Sequence, residues 1–339
     1  MSPADGVGED TSAGVILSFG FGTDRGLRRE LNEDSFLAAD PLFTVADGMG
    51  GHEAGEVASR ECIAILSNQD FLTAASRTAT AADLQQALRR ADARIREVTS
   101  DKAGTTVSGV VLVEERGVPY WLVFNVGDSR TYRLSQGSFR QVSVDHSEVQ
   151  ELVDAGFITP AQALTHPRRH VVTRALGAGS DTEADFWLVP VEEGDRILVC
   201  SDGLSGELSD SAIHRTLSTL SHPQDAVDSL IQSALRSGGR DNITVIVVDA
   251  SHVNGVAGDE TLNNPKTAQM AVQTGGDDTL PRMLAPEKDT LEAPTEVIPE
   301  DVLESIPASV RTPEKSVPSV QPTALLENSA APLHEENHG

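Results

Sequence analysis

The order of strand-like and helix-like segments limits the fold of this 339-residue chain more than any other feature. Six stretches rich in β-branched and aromatic residues read as strands, namely VILSFGFGTD, PLFTVAD, TTVSGVVLVEE, YWLVFNVGDSRTYRL, RILVCSDG and NITVIVVDA. Three read as helices, namely EAGEVASRECIAIL, ADLQQALRRADARIREVT and DAVDSLIQSALRSGG. The strands cluster at both ends with helices between them, and no regular strand–helix alternation appears. We therefore expect an α+β sandwich, with sheets packed beneath helices, rather than a doubly wound fold.

Composition changes sharply near residue 250. Residues 251–339 contain no Phe, Trp or Tyr and hold most of the prolines of the chain. Such a segment buries too little apolar surface to offset the entropy lost on ordering. We therefore predict a flexible N-terminus over residues 1–11, a folded domain over 12–250 and an acidic, proline-containing disordered tail over 251–339.

Charge and cysteine content narrow the possible partners and compartment. The formal net charge of −26 argues against binding to nucleic acid or to an anionic membrane, both of which require fields of Lys and Arg. Both cysteines, Cys62 and Cys200, lie in apolar stretches and are expected to be buried and unpaired. The first residues carry no basic and apolar signal pattern, and no apolar run is long enough to span a bilayer. We expect a monomeric cytoplasmic protein.

Four aspartates lie in the same kind of local setting, at the junction of an apolar strand-like stretch and a turn. They are Asp47, Asp128, Asp202 and Asp241. Taken singly, each could be an ordinary turn residue or helix cap. Taken together with the acidic pair Glu33–Asp34, they suggest carboxylates that converge on a cation. Oxygen ligands suit Mg²⁺ or Mn²⁺, whereas Zn²⁺ prefers His and Cys.

The residues around these acids suggest work on a phosphate. Glycine-rich DGMGGHEAGE has neither the second histidine of a zincin helix nor a Walker lysine, and no EF-hand loop is present. Clusters of carboxylates with hard cations often act on phosphoryl groups. Arg25, Arg28 and Arg29 could supply positive charge, although at least two of them are expected to be solvated turn residues. His52 could be an acid or, equally, a surface residue at a helix start.

Seven segments, in this order, resemble the PPM family of metal-dependent protein Ser/Thr phosphatases, the type 2C phosphatases, in their bacterial form. The segments are RELNEDSF, VADGMGGHEAGEVAS, GTTVSGVVL, NVGDSRTYRL, DHSEVQELVDAGFITPAQALTHPRRHVVTRALG, LVCSDGLSGELSD and RDNITVIVV, which all lie within residues 18–250. The resemblance implies a four-layer αββα sandwich of two antiparallel sheets flanked by helices. It also implies a flap subdomain over about residues 146–176.

The resemblance assigns metal-binding roles to the acidic residues, for two to three Mn²⁺ or Mg²⁺ ions. Asp47 would bridge two ions, with the carbonyl of Gly48 on one of them, and Asp202 and Asp241 would complete the first ion. The remaining implied ligands are Asp34, and less firmly Glu33, for the second ion, and Asp128, with His170 as a further candidate, for a third.

Two further residues are implied to act on the substrate. Arg29 matches the phosphate-binding arginine of the family. His52 is the nearest match to its general acid, although other members place a histidine where Met49 stands. The implied reaction is hydrolysis in a single step by a metal-bridged hydroxide.

The function implied is removal of phosphate from phosphoserine and phosphothreonine on proteins, opposing Ser/Thr kinases, which are themselves plausible substrates. Two alternatives stay open at this point: a catalytically dead binding module of the same family, and a hydrolase of small phosphorylated metabolites.

Two further hypotheses concern substrates and partners. Arg168 and Arg169 in the flap could position acidic phosphopeptides, or could be ordinary surface charge. Threonines in the tail segments GDDTLPR, EKDTLEAPTEV and VRTPEK could be phosphorylated and bound by a phosphothreonine-binding module. The tail could equally be a solubilising linker.

Overall fold

The computed structural model describes residues 14–50, 54–73, 76–179 and 182–253. The predicted N-terminal segment, nearly all of the predicted tail and His52 lie outside the described residues. The division into domains therefore stays a prediction.

Within these residues the chain forms eleven strands and seven α-helices. The strands are β1 Ile16–Asp24, β2 Asp34–Ala39, β3 Leu42–Gly50, β4 Ala103–Thr105, β5 Val107–Glu115, β6 Val118–Val126, β7 Arg130–Ser135, β8 Ser138–Gln141, β9 Asp185–Pro190, β10 Arg196–Cys200 and β11 Ile243–Ser251. The helices are α1 Ala54–Ser67, α2 Ala81–Thr99, α3 Glu148–Asp154, α4 Pro160–Ala163, α5 Asp202–Ser205, α6 Asp210–Thr219 and α7 Pro223–Ser237.

The strands form two antiparallel sheets. One sheet has the order β1-β11-β10-β7-β8, and the other has the order β2-β3-β5-β6-β9, with β4 paired to β3. The Gly127–Asp128 pair within YWLVFNVGDSRTYRL predicts that this strand-like stretch turns back on itself as a hairpin. That prediction is wrong, because β6 belongs to the second sheet and β7 to the first. The turn at Gly127 instead carries the chain from the second sheet to the first. Asp128 therefore lies between the end of β6 in one sheet and the start of β7 in the other.

Three apolar clusters hold the layers together. Between the sheets lie the inward side chains of both, among them Phe43, Trp121, Val199 and Ile246. Helices α1 and α2 pack on the outer face of the β3–β5–β6 sheet, and α6 and α7 pack on the outer face of β10 and β11. The α+β sandwich of two antiparallel sheets flanked by helices is confirmed.

The two cysteines lie inside these outer clusters. Cys62 on α1 and Cys200 on β10 are both buried and unpaired, as predicted. Burial raises the pKa of each thiol to about 12, so neither is a nucleophile at neutral pH.

Helices α3 and α4 lie in the segment 146–176, which we call the flap. Ser147 caps α3 by accepting a hydrogen bond from the Gln150 amide, and Thr159 begins α4 with a reciprocal capping box. The two ends of the flap meet where Ser147 pairs with Val172. None of the helices in the described segments is both long and apolar enough to cross a membrane.

Candidate active site

The ends of several strands bring the predicted acidic residues to one cavity. Asp34 and Asp47 are opposite each other in the β2–β3 register. Asp202 follows β10 and Asp241 precedes its neighbour β11. The cavity measures about 440 Å³, and Asp47, Gly48, Asp128, Asp202 and Asp241 all line it.

Close main-chain packing beneath Asp47 depends on Gly48. The Gly48 amide donates to the Glu33 carbonyl at 3.1 Å. A Cβ at Gly48 would lie 2.1 Å from the Gly55 carbonyl oxygen and 2.6 Å from that of Glu33. Only a residue without a side chain lets β3, the start of β2 and α1 approach this closely.

Asp34 lies behind this junction and is incompletely satisfied. Its Oδ2 accepts hydrogen bonds from Ser201 Oγ at 2.9 Å and Thr244 Oγ1 at 2.6 Å. Within the described residues, its Oδ1 is buried and has no hydrogen-bond partner. Burial raises the pKa of Asp34 to about 7, against the opposing effect of the two hydroxyl groups. A buried carboxylate oxygen of this kind is costly unless a cation or a water meets it.

Burial and mutual repulsion also raise the pKa values of the other carboxylates. Burial, followed by the charges of Asp34 and Asp202, raises the pKa of Asp47 well above its usual range. Burial and the charge of Asp202 raise the pKa of Asp128 to about 8. Burial and Asp241 raise the pKa of Asp202, while a hydrogen bond with Asp47 lowers it. The cavity therefore favours the arrival of positive charge.

Arg29 is the one of the three predicted arginines that lines the cavity. Its Nη2 donates to Asp241 Oδ2 at 2.6 Å, and the hydrogen bond to Asp241 raises the pKa of the guanidinium. Arg25 instead donates to the Glu30 carbonyl. The side chain of Arg29 is 47% exposed, so it can move toward a bound anion.

The donor set fits hard divalent cations. No three His, Cys, Asp or Glu side chains in the described part of the chain are placed to hold one ion by themselves. Magnesium in proteins is nevertheless commonly held by one or two carboxylates, with water completing the shell. The unsatisfied Oδ1 of Asp34 and the hydrogen-bonded carboxylates of Asp47 and Asp202 suit that mode of binding.

Three further residues that the sequence analysis singled out also line the cavity, namely Glu33, Met49 and His170. Glu33 is close to the start of α1, where its carboxylate accepts a hydrogen bond from the Gly55 amide.

Sequence reasoning missed Asn242, which organises the loop that carries Arg29. The Asn242 side chain donates to the carbonyls of Arg25 and Leu31 and accepts from the Glu33 amide, with all three distances between 2.8 and 2.9 Å. Its position directly after Asp241 was the available signal, because Asn side chains often bind neighbouring main chain.

The two flap arginines have different surroundings. Arg168 pairs with Glu148 on α3 at 2.5 Å. Arg169 lines the cavity, and its guanidinium donates at 3.4 Å to the His166 carbonyl of its own turn. A second cavity of about 460 Å³ continues from the first, with Arg169 and His170 at the junction and Val149, Val153 and Leu208 farther along.

Comparison with known proteins gives consistent matches. The sequence profile of the protein phosphatase 2C family matches residues 22–237. The serine/threonine protein phosphatase PstP of Mycobacterium tuberculosis is 40% identical over 247 residues, which cover 69% of this chain and 45% of that protein. The serine/threonine phosphatase stp of Listeria innocua is 36% identical over 241 residues, covering 68% and 94%.

A solved structure shares the fold. The catalytic domain of PstP in complex with two manganese ions has a TM-score of 0.63 and 37% identity, and the match covers 70% of this chain and all of that domain. The present chain thus spans less than half the length of the mycobacterial relative and nearly all of the Listeria one.

Proposed function

The chain belongs to the protein phosphatase 2C family, and from that premise we propose that it removes phosphate from phosphoserine and phosphothreonine on proteins, using Mn²⁺ or Mg²⁺. The observation that carries the proposal is the convergence of Asp34, Asp47, Asp202 and Asp241 at adjoining strand ends, with a buried carboxylate oxygen unsatisfied. A catalytically dead binding module would have no use for so many mutually repelling acids.

We assign the cation-binding roles to this cluster. Asp47 and the Gly48 carbonyl would be shared by two ions, Asp202 and Asp241 would help to hold one of them, and Asp34 would help to hold the other. Bound there, the ions would ionise a water molecule and neutralise charge on the phosphate oxygens. Asp128, with His170 nearby, is the candidate for a third ion.

Arg29 is proposed to bind the phosphate. In the structure its guanidinium donates to Asp241, which is the only acid among the described residues that accepts a hydrogen bond from Arg29. Once Asp241 has another counter-charge, the donors of Arg29 are free to pair with two phosphate oxygens. Protonation of the leaving oxygen by His52 stays a prediction.

The surroundings of the cavity support a protein substrate over a small metabolite. The second cavity runs along the flap. Val149, Val153 and Leu208 line it and offer apolar contacts to substrate residues beside the phosphorylated residue. Arg169, at the junction, could attract acidic residues in the substrate, whereas Arg168 is already paired with Glu148.

Opposition to Ser/Thr kinases, including the kinases themselves as substrates, follows from this chemistry and is part of the proposal. Binding of a phosphorylated tail to a phosphothreonine-binding module is a further proposal that rests on sequence alone. Action in the cytoplasm as a monomer stays a prediction.

A comparison of substrates tests the proposal. With Mn²⁺ present, purified protein should release phosphate from a phosphothreonine peptide with at least ~10-fold higher kcat/KM than from sugar phosphates, and EDTA should abolish both activities. Preference for the sugar phosphates would favour a metabolite hydrolase. Tight binding of the peptide without phosphate release would favour a dead binding module.

A further inference from the structure

The turn that carries Asp128 is attached to the base of the flap by two side chains, Asn125 and His146. Asn125 Nδ2 donates to the Gly127 carbonyl at 2.9 Å and to the Val144 carbonyl at 3.1 Å, and His146 is the residue that binds the Gly127 amide. The Gly127 amide donates to His146 Nδ1 at 3.0 Å, and the His146 amide donates to the Gly127 carbonyl at 2.8 Å. Gly127 has a φ of +103°, a conformation that favours glycine. Because glycine can also adopt other conformations, contacts with neighbouring residues keep the turn in this one.

The imidazole of His146 is itself fixed in place. The residue is 5% exposed. Because Nδ1 accepts from Gly127, the ring proton lies on Nε2, which faces Asp185 Oδ2 at 3.4 Å at the start of β9. Arg174 approaches the same carboxylate at 3.3 Å. Second partners of this kind fix the orientation of a histidine ring.

His146 also connects the two ends of the flap. Its carbonyl accepts a hydrogen bond from the Thr173 amide at 2.8 Å, where the chain returns from α4. A single residue therefore contacts the Asp128 turn, the returning end of the flap and, through its ring, the edge strand β9.

We propose that His146 is a positioning residue that holds the Asp128 turn against the base of the flap, so that the direction of the Asp128 carboxylate depends on the flap. The proposal rests on the proposed function for its consequence, because Asp128 is a candidate cation ligand. Loss of the Nδ1 acceptor frees the Gly127 amide and lets the turn move. Cation binding that depends on Asp128 then weakens, while binding at Asp47 is kept.

Two substitutions separate this role from simple packing. His146→Leu fills the space but accepts no hydrogen bond. His146→Asn places an amide oxygen near the position of Nδ1, so it can still accept from Gly127, although it cannot reach Asp185. His214→Leu is the matched control, since His214 stacks on Phe139 at a centroid distance of 5.3 Å and does not contact the turn.

The first measurement is amide hydrogen exchange at Gly127 in EDTA, and the second is calorimetric titration with Mn²⁺. We expect His146→Leu to speed Gly127 exchange and to weaken the weakest Mn²⁺ binding step, each by ~10-fold or more. His146→Asn should restore both to within about threefold of wild type, and His214→Leu should change neither.

Wild-type exchange at Gly127 in His146→Leu would overturn the proposal, and so would failure of His146→Asn to restore protection. If His146→Leu does not fold, the Asn variant alone decides, by keeping or losing protection of Gly127. The exchange measurement needs no cation, so it tests His146 even if wild-type protein binds no Mn²⁺, an outcome that would instead contradict the proposed function.

Discussion

Arg29 and Asp241 form an ion pair at the rim of the cavity that Asp47, Asp128 and Asp202 line. If Arg29 binds the phosphate group itself, Arg29→Ala should lower kcat/KM by ~100-fold on a phosphothreonine peptide and on a small aryl phosphate alike. Steady-state kinetics on both substrates checks this. Arg25→Ala is the matched control and should retain activity, because Arg25 contacts the Glu30 carbonyl. Equal activity of the two variants would show that Arg29 does not bind the phosphate group.

Arg169 should act on the flanking residues of the substrate and not on the phosphate. We expect Arg169→Ala to lower kcat/KM by about 3- to 5-fold on a phosphopeptide with acidic neighbours, the range of an exposed ion pair, and to leave an aryl phosphate unaffected. Arg168→Ala should behave like wild type on both substrates, since that guanidinium pairs with Glu148. Similar losses on the two substrates would mean that Arg169 does not recognise the peptide.

Single residues differ in how far the sequence reveals them. Asp47 and Asp202 were predictable because each comes at the end of a short apolar stretch of sequence and precedes glycine. The environment of Asp34 was not predictable, because its partners Ser201 and Thr244 lie more than 160 residues away in the sequence. Only folding brings those hydroxyl groups to the carboxylate.

At the scale of elements, the junction of β2, β3 and α1 is the most sensitive to added volume. Gly48→Ala should cost about 1–3 kcal/mol of unfolding free energy, because its Cβ would meet the Gly55 carbonyl. Denaturant unfolding measures this cost. Gly179→Ala is the comparison, since no atom of the described residues lies within 4 Å of a Cβ there. A change below 0.5 kcal/mol is expected for it. Equal changes in unfolding free energy for Gly48→Ala and Gly179→Ala would show that the junction of β2, β3 and α1 can relax around an added Cβ.

Strand prediction succeeded for the central strands and for the edge strand β1, and it failed at the other three sheet edges. β2, β8 and β9 were not predicted, and each is the last strand of its sheet. Neither β2 nor β8 contains a fully buried residue, so the apolar pattern of these edge strands is weaker than that of a central strand. The hairpin error at Gly127 has a similar origin, because turn residues do not say which sheet the next strand joins.

At the scale of the whole molecule, the buried acids should make stability depend on pH when no cation is bound. The pKa of Asp34 is raised to about 7 and that of Asp128 to about 8, whereas Asp in an unfolded chain titrates near 4. A raised pKa in the folded state gives stability that is fully present below pH ~4 and is lost as pH rises through the folded values.

In EDTA, the thermal midpoint should therefore fall by about 5 °C between pH 6 and pH 8.5, and Mn²⁺ should raise it more at the higher pH. Scanning fluorimetry measures both effects. Asp34→Asn should show a shallower decline, since it removes one of the titrating groups. A midpoint that rises over this range in EDTA would contradict the electrostatic description of the cavity.

The overall architecture and family were accessible from sequence, since seven short segments occur in one order over residues 18–250. The connection of Asp128 to the flap was not accessible, because it depends on contacts of His146 with Gly127 and with Asp185 at the start of β9, which only the folded chain brings together.

The most direct test of the central claim is Mn²⁺-dependent phosphate release from a phosphothreonine peptide by wild type, Asp47→Asn and Asp101→Asn. Asp101 is an exposed acid with φ of +57°, a conformation that Asn also adopts, so its substitution changes one surface charge. We predict Mn²⁺-dependent activity in wild type and Asp101→Asn, and a loss of at least ~1,000-fold in Asp47→Asn. Activity of Asp47→Asn equal to that of wild type would contradict the account.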